Sequence, residues 1–342
     1  MKYLSVIYLS SFIILLSACG TKPKQDSSQV TTGDSTQPTA AVVSTVFSAD
    51  SAYAFCEAQC QFGPRIMNSE AHEACGSWIA RKFQDYGMEV IEQRTTLHGY
   101  DGTPLQANNI IAQYQPELQD RIIVCAHWDS RPWADNDPDS ANWRKPVMAA
   151  NDGASGVAVM LELARLLNED TLTSNHSPLT SNIGIDFICF DAEDWGTPQW
   201  SDADDDGNTF ALGAQHWAAH PHRTGYKARF GILLDMVGGQ NARFYQESYS
   251  LHYAEDLVHR IWQAAQTAGY SGFFPREEGG GINDDHVPVN QTAHIPCIDI
   301  IHHLPTTGFG PTWHTLQDDM QHIDRTTLKA VGQTLVQFIW TL

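Results

Sequence analysis

Positive charge is in short supply. The 342-residue chain carries 20 Lys and Arg against 40 Asp and Glu, for a net charge of −20. A chain without a cationic surplus has little with which to displace the counterions of a phosphate backbone, which argues against a nucleic-acid partner. Long apolar runs are scarce as well. The run from Tyr3 to Leu16 is too short for a stable spanning helix and has the length and position of a signal-peptide core. The seven cysteines contain no Cys-x-x-Cys pair, so thiolate zinc binding is disfavoured. No internal repeat is present, and 42% hydrophobic residues suffice for one large core.

After the apolar run comes Leu16-Ser17-Ala18-Cys19-Gly20, which resembles the bacterial lipobox, in which the cysteine becomes the lipidated first residue of the mature protein. Gly20 rather than Asp after the cysteine implies, by that resemblance, an outer-membrane address on the periplasmic side of a bacterial envelope. Residues 1–18 then read as a lipoprotein signal peptide. Residues 19–45 read as the lipidated cysteine and a Thr-, Ser-, Gln- and Pro-rich tether, and 46–342 as a single catalytic domain. In an exported protein the six remaining cysteines permit disulfides. Cys56, Cys60 and Cys75 cluster where one pair could staple two helices; Cys125, Cys189 and Cys297 lie in apolar strand patterns and read as packing residues.

Helical spacing of apolar residues over 48–62 and 69–86, with Ser48 and Ser69 as N-caps, opens the domain. An alternating strand pair follows over 88–97 and 105–114, then a continuously apolar strand over 121–127 and a helix over 157–167. Strands over 183–190, 230–237 and 297–301 alternate with helices near 212–219, 251–268 and 326–342. The pattern predicts an α/β fold of three layers, with a mostly parallel, mixed central sheet of about six strands covered by helices on both faces.

Ligands in such folds gather at the carboxyl ends of the strands. Those ends read His127-Trp128-Asp129, Asn151-Asp152-Gly153, Glu193-Asp194, Asp235 and His302-His303. Adjacent acids such as Glu193 and Asp194 are costly unless one binds a cation and the other holds a proton. Two carboxylates and one imidazole with a fourth position open suit a catalytic zinc, and Asp152, Asp194 and His314 supply that set.

The segments HWDS (127–130), NDGASG (151–156), FDAEDW (190–195), LLDMVG (233–238), DDHVP (284–288) and WHT (313–315) together resemble the zinc aminopeptidase-like hydrolases, and within them the animal-type glutaminyl cyclases of bacteria. The resemblance runs from about residue 50 to the C-terminus. It implies one zinc per chain on Asp152, Asp194 and His314. It makes Glu193 the general acid/base, with Asp235 and Asp284 as its hydrogen-bonding partners and Trp200, Phe309 and Trp313 as walls of a narrow pocket. The implied substrates are peptides or proteins with an N-terminal Gln. Asp284 and the tryptophans favour the cyclase over a di-zinc aminopeptidase, to which His127 and Asp235 could contribute a second metal. A catalytically inactive binding protein on the same fold is a third reading.

Two positions depart from the family pattern. Asp194 is one methylene shorter than the Glu most members carry, and Ala126 and Val157 occupy the places of a disulfide found in animal cyclases. A separate run with Asp202, Asp204 and Asp206 has the first half of a calcium-loop pattern, but Gly213 stands where a closing Glu belongs, so a solvated loop is the default and calcium only an option.

Overall fold

The computed structural model describes residues 41–173, 182–202 and 208–342. The lipobox with Cys19, nearly all of the tether, and Asp204 and Asp206 lie outside these residues. The first two helices, α1 (Ala49–Cys60) and α2 (Glu70–Asp85), start where the sequence says they should: the Ser48 hydroxyl accepts the Ser51 N–H at 3.1 Å and the Ser69 hydroxyl accepts the His72 N–H at 3.1 Å. Strands β1 (Glu89–His98) and β2 (Pro104–Tyr114) form an antiparallel hairpin. They are followed by β3 (Arg121–His127), α3 (Ala154–Thr173), β4 (Gly184–Phe190), α4 (Leu212–Ala219) and β5 (Gly231–Asp235). Helices α5 (Ser248–Thr267) and α6 (His286–Gln291), strand β6 (Cys297–Ile301) and α7 (Arg325–Ile339) complete the domain, apart from a two-stranded ribbon, β7 (His303–Leu304) with β8 (Gly308–Phe309).

The main sheet has six strands in the order β1-β2-β4-β3-β5-β6, antiparallel at the β1 edge and parallel from β4 through β6. Every residue of β3, β4, β5 and β6 is buried, and side-chain alternation divides them between two cores. Ile122, Val124, Ile185, Phe187, Ile232 and Leu234 join the larger core under α1, α2, α3, α5 and α7. Ile123, Cys125, Ile188, Phe190 and Leu233 face the smaller one with Trp217 of α4 and Val289 of α6. The three-layer expectation holds, since no face of these strands meets water.

Three local expectations change. Helix α3 begins at Ala154, directly behind Asp152-Gly153, because Gly153 takes φ +99° and a Cβ there would lie 2.9 Å from the Asp129 carbonyl oxygen. Helix α6 has no counterpart in the pattern reading: at six residues, with Pro288 inside it, it shows too little periodicity to detect. The disulfide staple is absent, as Cys56, Cys60 and Cys75 are all free thiols. Cys56 instead donates to the Ala150 carbonyl at 3.0 Å, and burial pushes the Cys75 thiol up to about 12, so these residues serve as packing groups.

Candidate active site and metal centre

Tight turns at the carboxyl ends of the parallel strands put the acids together. After β4 the chain passes through Ala192 at φ +53°, and the Asp129 carboxylate receives the Glu193 N–H on one oxygen and the Asp194 N–H on the other, both at 3.1 Å. Asp129 is thereby the clamp that fixes the acidic turn. At the start of α3, Asp318 accepts the N–H groups of Asn151 at 2.7 Å and Asp152 at 3.0 Å. A third such turn carries His314, at φ +54°.

These turns bring Asp152, Asp194 and His314 into one cluster whose donor atoms lie within 4.8 Å of one another. Nε2 of His314 is 3.1 Å from Asp194 Oδ1 and 3.6 Å from Asp152 Oδ2. The edge of a tetrahedron with metal bonds of roughly 2.0–2.1 Å is about 3.3 Å, so the spacing of these donors, the shorter Asp194 among them, is of the size a zinc site needs. Asp194 Oδ2 is buried with no hydrogen-bond partner, as an oxygen kept for a cation would be. Behind the cluster, Arg131 pairs with Asp135 at 2.6 Å and donates to the Asp194 carbonyl at 3.0 Å, while Asp135 lies 3.6 Å from the far nitrogen of His314. Burial and the Arg131 charge lower the His314 pKa, which favours the neutral imidazole a metal needs. Burial opposes the charge on Asp194, but His314 and Arg131 outweigh it and hold that carboxylate low. Asp152 moves the other way, raised by burial and by Asp194 and Asp235.

A second cluster shares Asp152: His127 Nε2 lies 2.9 Å from Asp152 Oδ1 and 3.3 Å from Asp235 Oδ1. Glu193 lines the same cavity as the metal cluster and Asp284. Burial is the main cause that raises its pKa well above the carboxylate range; His127 opposes, and Asp194 and Asp284 add to the rise. Asp284 is itself pushed up to about 6 by burial and by Asp235.

Above these groups opens a cavity of about 410 Å³ with Asp152, Glu193, Asp194, Asp235, Asp284 and His314 among its lining. Its apolar wall is made by Phe210, Met236, Ile282, Phe309 and Trp313. Trp313 stacks on His314 at 3.8 Å between ring centroids and leans on Phe309 at 4.3 Å. Phe309 and Trp313 thus lie where the resemblance puts them. Trp200 does not: it packs parallel to Trp143 at 6.4 Å, with the Arg144 guanidinium 4.7 Å from its ring, and is not part of the cavity lining. Phe210, ten residues further on, takes a place in the wall instead; a lone Phe after a polar insertion carries no sequence signal. Arg131, Asp135 and Asp318 were also missed, because supporting residues lack a spacing rule. Asp202 is exposed, and with its two partners outside the described residues nothing supports calcium there.

The sequence profile of peptidase family M28 matches residues 109–339. The crystal structure of Bacteroides thetaiotaomicron glutaminyl cyclase bound to N-acetylhistamine superposes with a TM-score of 0.83 at 49% identity, covering 87% of this chain and 99% of that one. A leucine aminopeptidase precursor structure from the same organism gives a TM-score of 0.82 at 48% identity, covering 88% and 100%. Among curated proteins, the glutaminyl-peptide cyclotransferase of Gloydius blomhoffii is 26% identical over 254 residues, 68% of this chain and 64% of that relative's length.

Proposed function

The chain belongs to peptidase family M28, a family with zinc-dependent members, and from that premise we propose that it is a glutaminyl-peptide cyclotransferase, converting the N-terminal Gln of peptides and proteins to pyroglutamate with release of ammonia. The observation that carries this reading is Glu193, a buried acid with a raised pKa that lines one cavity with the Asp152–Asp194–His314 cluster, Asp284, Phe309 and Trp313.

One zinc, held by Asp152, Asp194 and His314, would polarise the side-chain amide carbonyl of the substrate Gln. The substrate's own α-amine then attacks Cδ, so no protein nucleophile is required, only orientation. Glu193 accepts the proton released from the α-nitrogen as the N–Cδ bond forms. It returns a proton to the side-chain nitrogen as the Cδ–N bond breaks, and ammonia leaves. Asp235 and Asp284 provide hydrogen-bond acceptors for the N–H groups of the neutral N-terminal amine, and the apolar wall keeps out water that would hydrolyse the amide.

A di-zinc aminopeptidase is the second reading, favoured by the His127–Asp152–Asp235 cluster and by the likeness to the leucine aminopeptidase precursor. One assay separates the two. The soluble domain is incubated with a Gln-initiated and an Ala-initiated peptide, and the masses are followed. Loss of ammonia from the first with the second intact is expected; release of a free amino acid from either overturns the cyclase. Zinc per chain, one against two, is the companion measurement.

We also infer that the domain is exported and tethered to the bacterial envelope by lipid on Cys19, on the strength of Leu16–Gly20 and the tether composition. Among the described residues no helix is long and apolar enough to cross a membrane. Labelling cells with a palmitate analogue should mark the wild-type protein and not Cys19→Ala; equal labelling of both would remove the anchor.

A further inference from the structure

Next to the catalytic cavity lies a smaller crevice of about 100 Å³. The two share Met236 and Trp313 as walls, and the strip between them is 309–313: Phe309 and Trp313 line the cavity, while Gly310, Pro311 and Thr312 line the crevice. Their chemistry differs sharply. The cavity is lined by five carboxylates, Asp152, Glu193, Asp194, Asp235 and Asp284. The crevice lining has no Asp, Glu, Lys or Arg; its polar groups are Asn151, Gln240, Asn241, Thr312, His302 and His322.

Two of these belong to residues that are largely buried and whose polar atoms face the crevice. His302 is 6% exposed and Asn151 5%. Asn151 Oδ1 accepts the Gly238 N–H at 2.8 Å, but among the described residues nothing bonds its side-chain NH₂ or either nitrogen of the His302 ring. These polar atoms are not sealed in: they face the open crevice, where water or a hydrogen-bonding visitor can meet them. Glycines hold that space open. A Cβ on Gly310 would come 3.2 Å from His302 Cε1, and one on Gly239 would come 3.0 Å from Asn151 Nδ2. Burial and the nearby Arg243 push His302 down to about 4, so at neutral pH its ring is uncharged and offers one N–H and one acceptor.

We propose that this crevice is the subsite for the peptide segment following the N-terminal residue, with His302 and Asn151 hydrogen-bonding its backbone amides. The inference rests on the cyclase reading and adds to it the residues that distinguish a peptide from a single amino-acid amide. Charge supports the assignment: a peptide presents a cationic amine at one end and neutral amides immediately after it, and the cavity and crevice are acidic and neutral in the same order. An extended chain advances roughly 3.3 Å per residue, and the cavity and crevice share Met236 and Trp313 as walls, so the residues after the first are the ones that meet the crevice. Gln240, Asn241 and Pro311 at the rim are exposed, leaving the rest of the chain a way out to solvent.

The test compares kcat/KM for glutamine amide and for the tetrapeptide Gln-Ala-Ala-Ala amide in three proteins: the wild type, His302→Leu, and Gln240→Trp, which fills the crevice from its exposed rim without touching buried structure. The ratio of tetrapeptide to amide should fall by about three- to tenfold in either variant, the loss expected for one or two hydrogen bonds. An unchanged ratio in Gln240→Trp, with both substrates still turned over, overturns the subsite even if His302→Leu fails to fold. Failure of the wild type to cyclise either substrate defeats the cyclase reading itself, and the subsite with it.

Discussion

The two ends of the parallel strands carry buried acids of opposite character. At the amino-terminal end, Asp186 of β4 is fully buried and fully engaged: Arg121 Nε and Nη2 each reach it at 2.7 Å, Gln113 at 2.7 Å, and the Tyr226 hydroxyl completes the set. Burial pushes Asp186 up, but the Arg121 hydrogen bonds and charge win and hold it below its ordinary range. At the other end of the same strands, Asp152, Glu193, Asp284 and Asp285 are also buried, yet all are pushed up. Asp194 Oδ2, Asp284 Oδ2 and both Asp285 oxygens have no hydrogen-bond partner. Burial with complete hydrogen bonding makes a structural brace. Burial with open oxygens makes a site awaiting a cation, a proton or a substrate amine.

The sharpest way to break this comparison is to neutralise one acid at each end. Glu193→Gln removes a proton carrier and keeps the shape of the side chain. Turnover should fall by about 10²–10⁴-fold, zinc measured by mass spectrometry should stay, and the unfolding midpoint in urea should not drop. His314→Ala should lose zinc and turnover together. Loss of zinc in Glu193→Gln would instead exchange the roles of the two adjacent acids. At the other end, Arg121→Met strands Asp186 as an uncompensated buried charge and should cost about 3–5 kcal/mol in urea unfolding. The folded fraction should keep its zinc and its kcat. A kcat loss larger than the stability loss would mean that the two ends are coupled and the division is false.

Much of this is legible in the amino-acid sequence, and the reason is periodicity. The strands over 121–127, 183–190 and 297–301 are apolar on both faces, so their carboxyl ends could be read off and the charged residues there collected. The serine caps and the grouping of Asp152, Asp194 and His314 followed from local rules of the same kind. What failed to show were contacts made by residues with no repeating position. Asp129 and Asp318 hold the acidic turns by accepting pairs of backbone N–H groups from distant segments, and Arg131, paired with Asp135, holds the Asp194 carbonyl. Trp200 packs instead among loop aromatics, edge-on to Trp133 at 5.9 Å and parallel to Trp143 at 6.4 Å, contacts that no periodic position announces. The cysteine staple failed because burial alone accounts for those thiols.

The finest test concerns Glu247, which lies beside the open acids but is satisfied like Asp186. One of its oxygens accepts the Tyr249 N–H at 2.8 Å and the Ile282 N–H at 3.0 Å; the other accepts the Ser250 N–H at 2.6 Å and hydroxyl at 2.7 Å and lies 3.2 Å from His286 Nε2. It caps α5 and also ties down the cavity loop on both sides of Asp284. Burial pushes Glu247 up, but the His286 hydrogen bond and charge, with the backbone N–H groups, bring it down to about 2. A pKa depressed in the folded state contributes stability that is fully present above the unfolded value near 4.3 and is lost as pH falls toward the folded value. Glu247→Gln should therefore be less stable than the wild type by about 1–3 kcal/mol at pH 7, and the gap should stay level down to about pH 5 and close as pH drops further. Urea unfolding at pH 7, 5, 4 and 3 reads this directly. A gap that stays constant to pH 3 would mean that Glu247 works through the shape of its cap, and satisfied charge would then no longer be what separates the braces from the site.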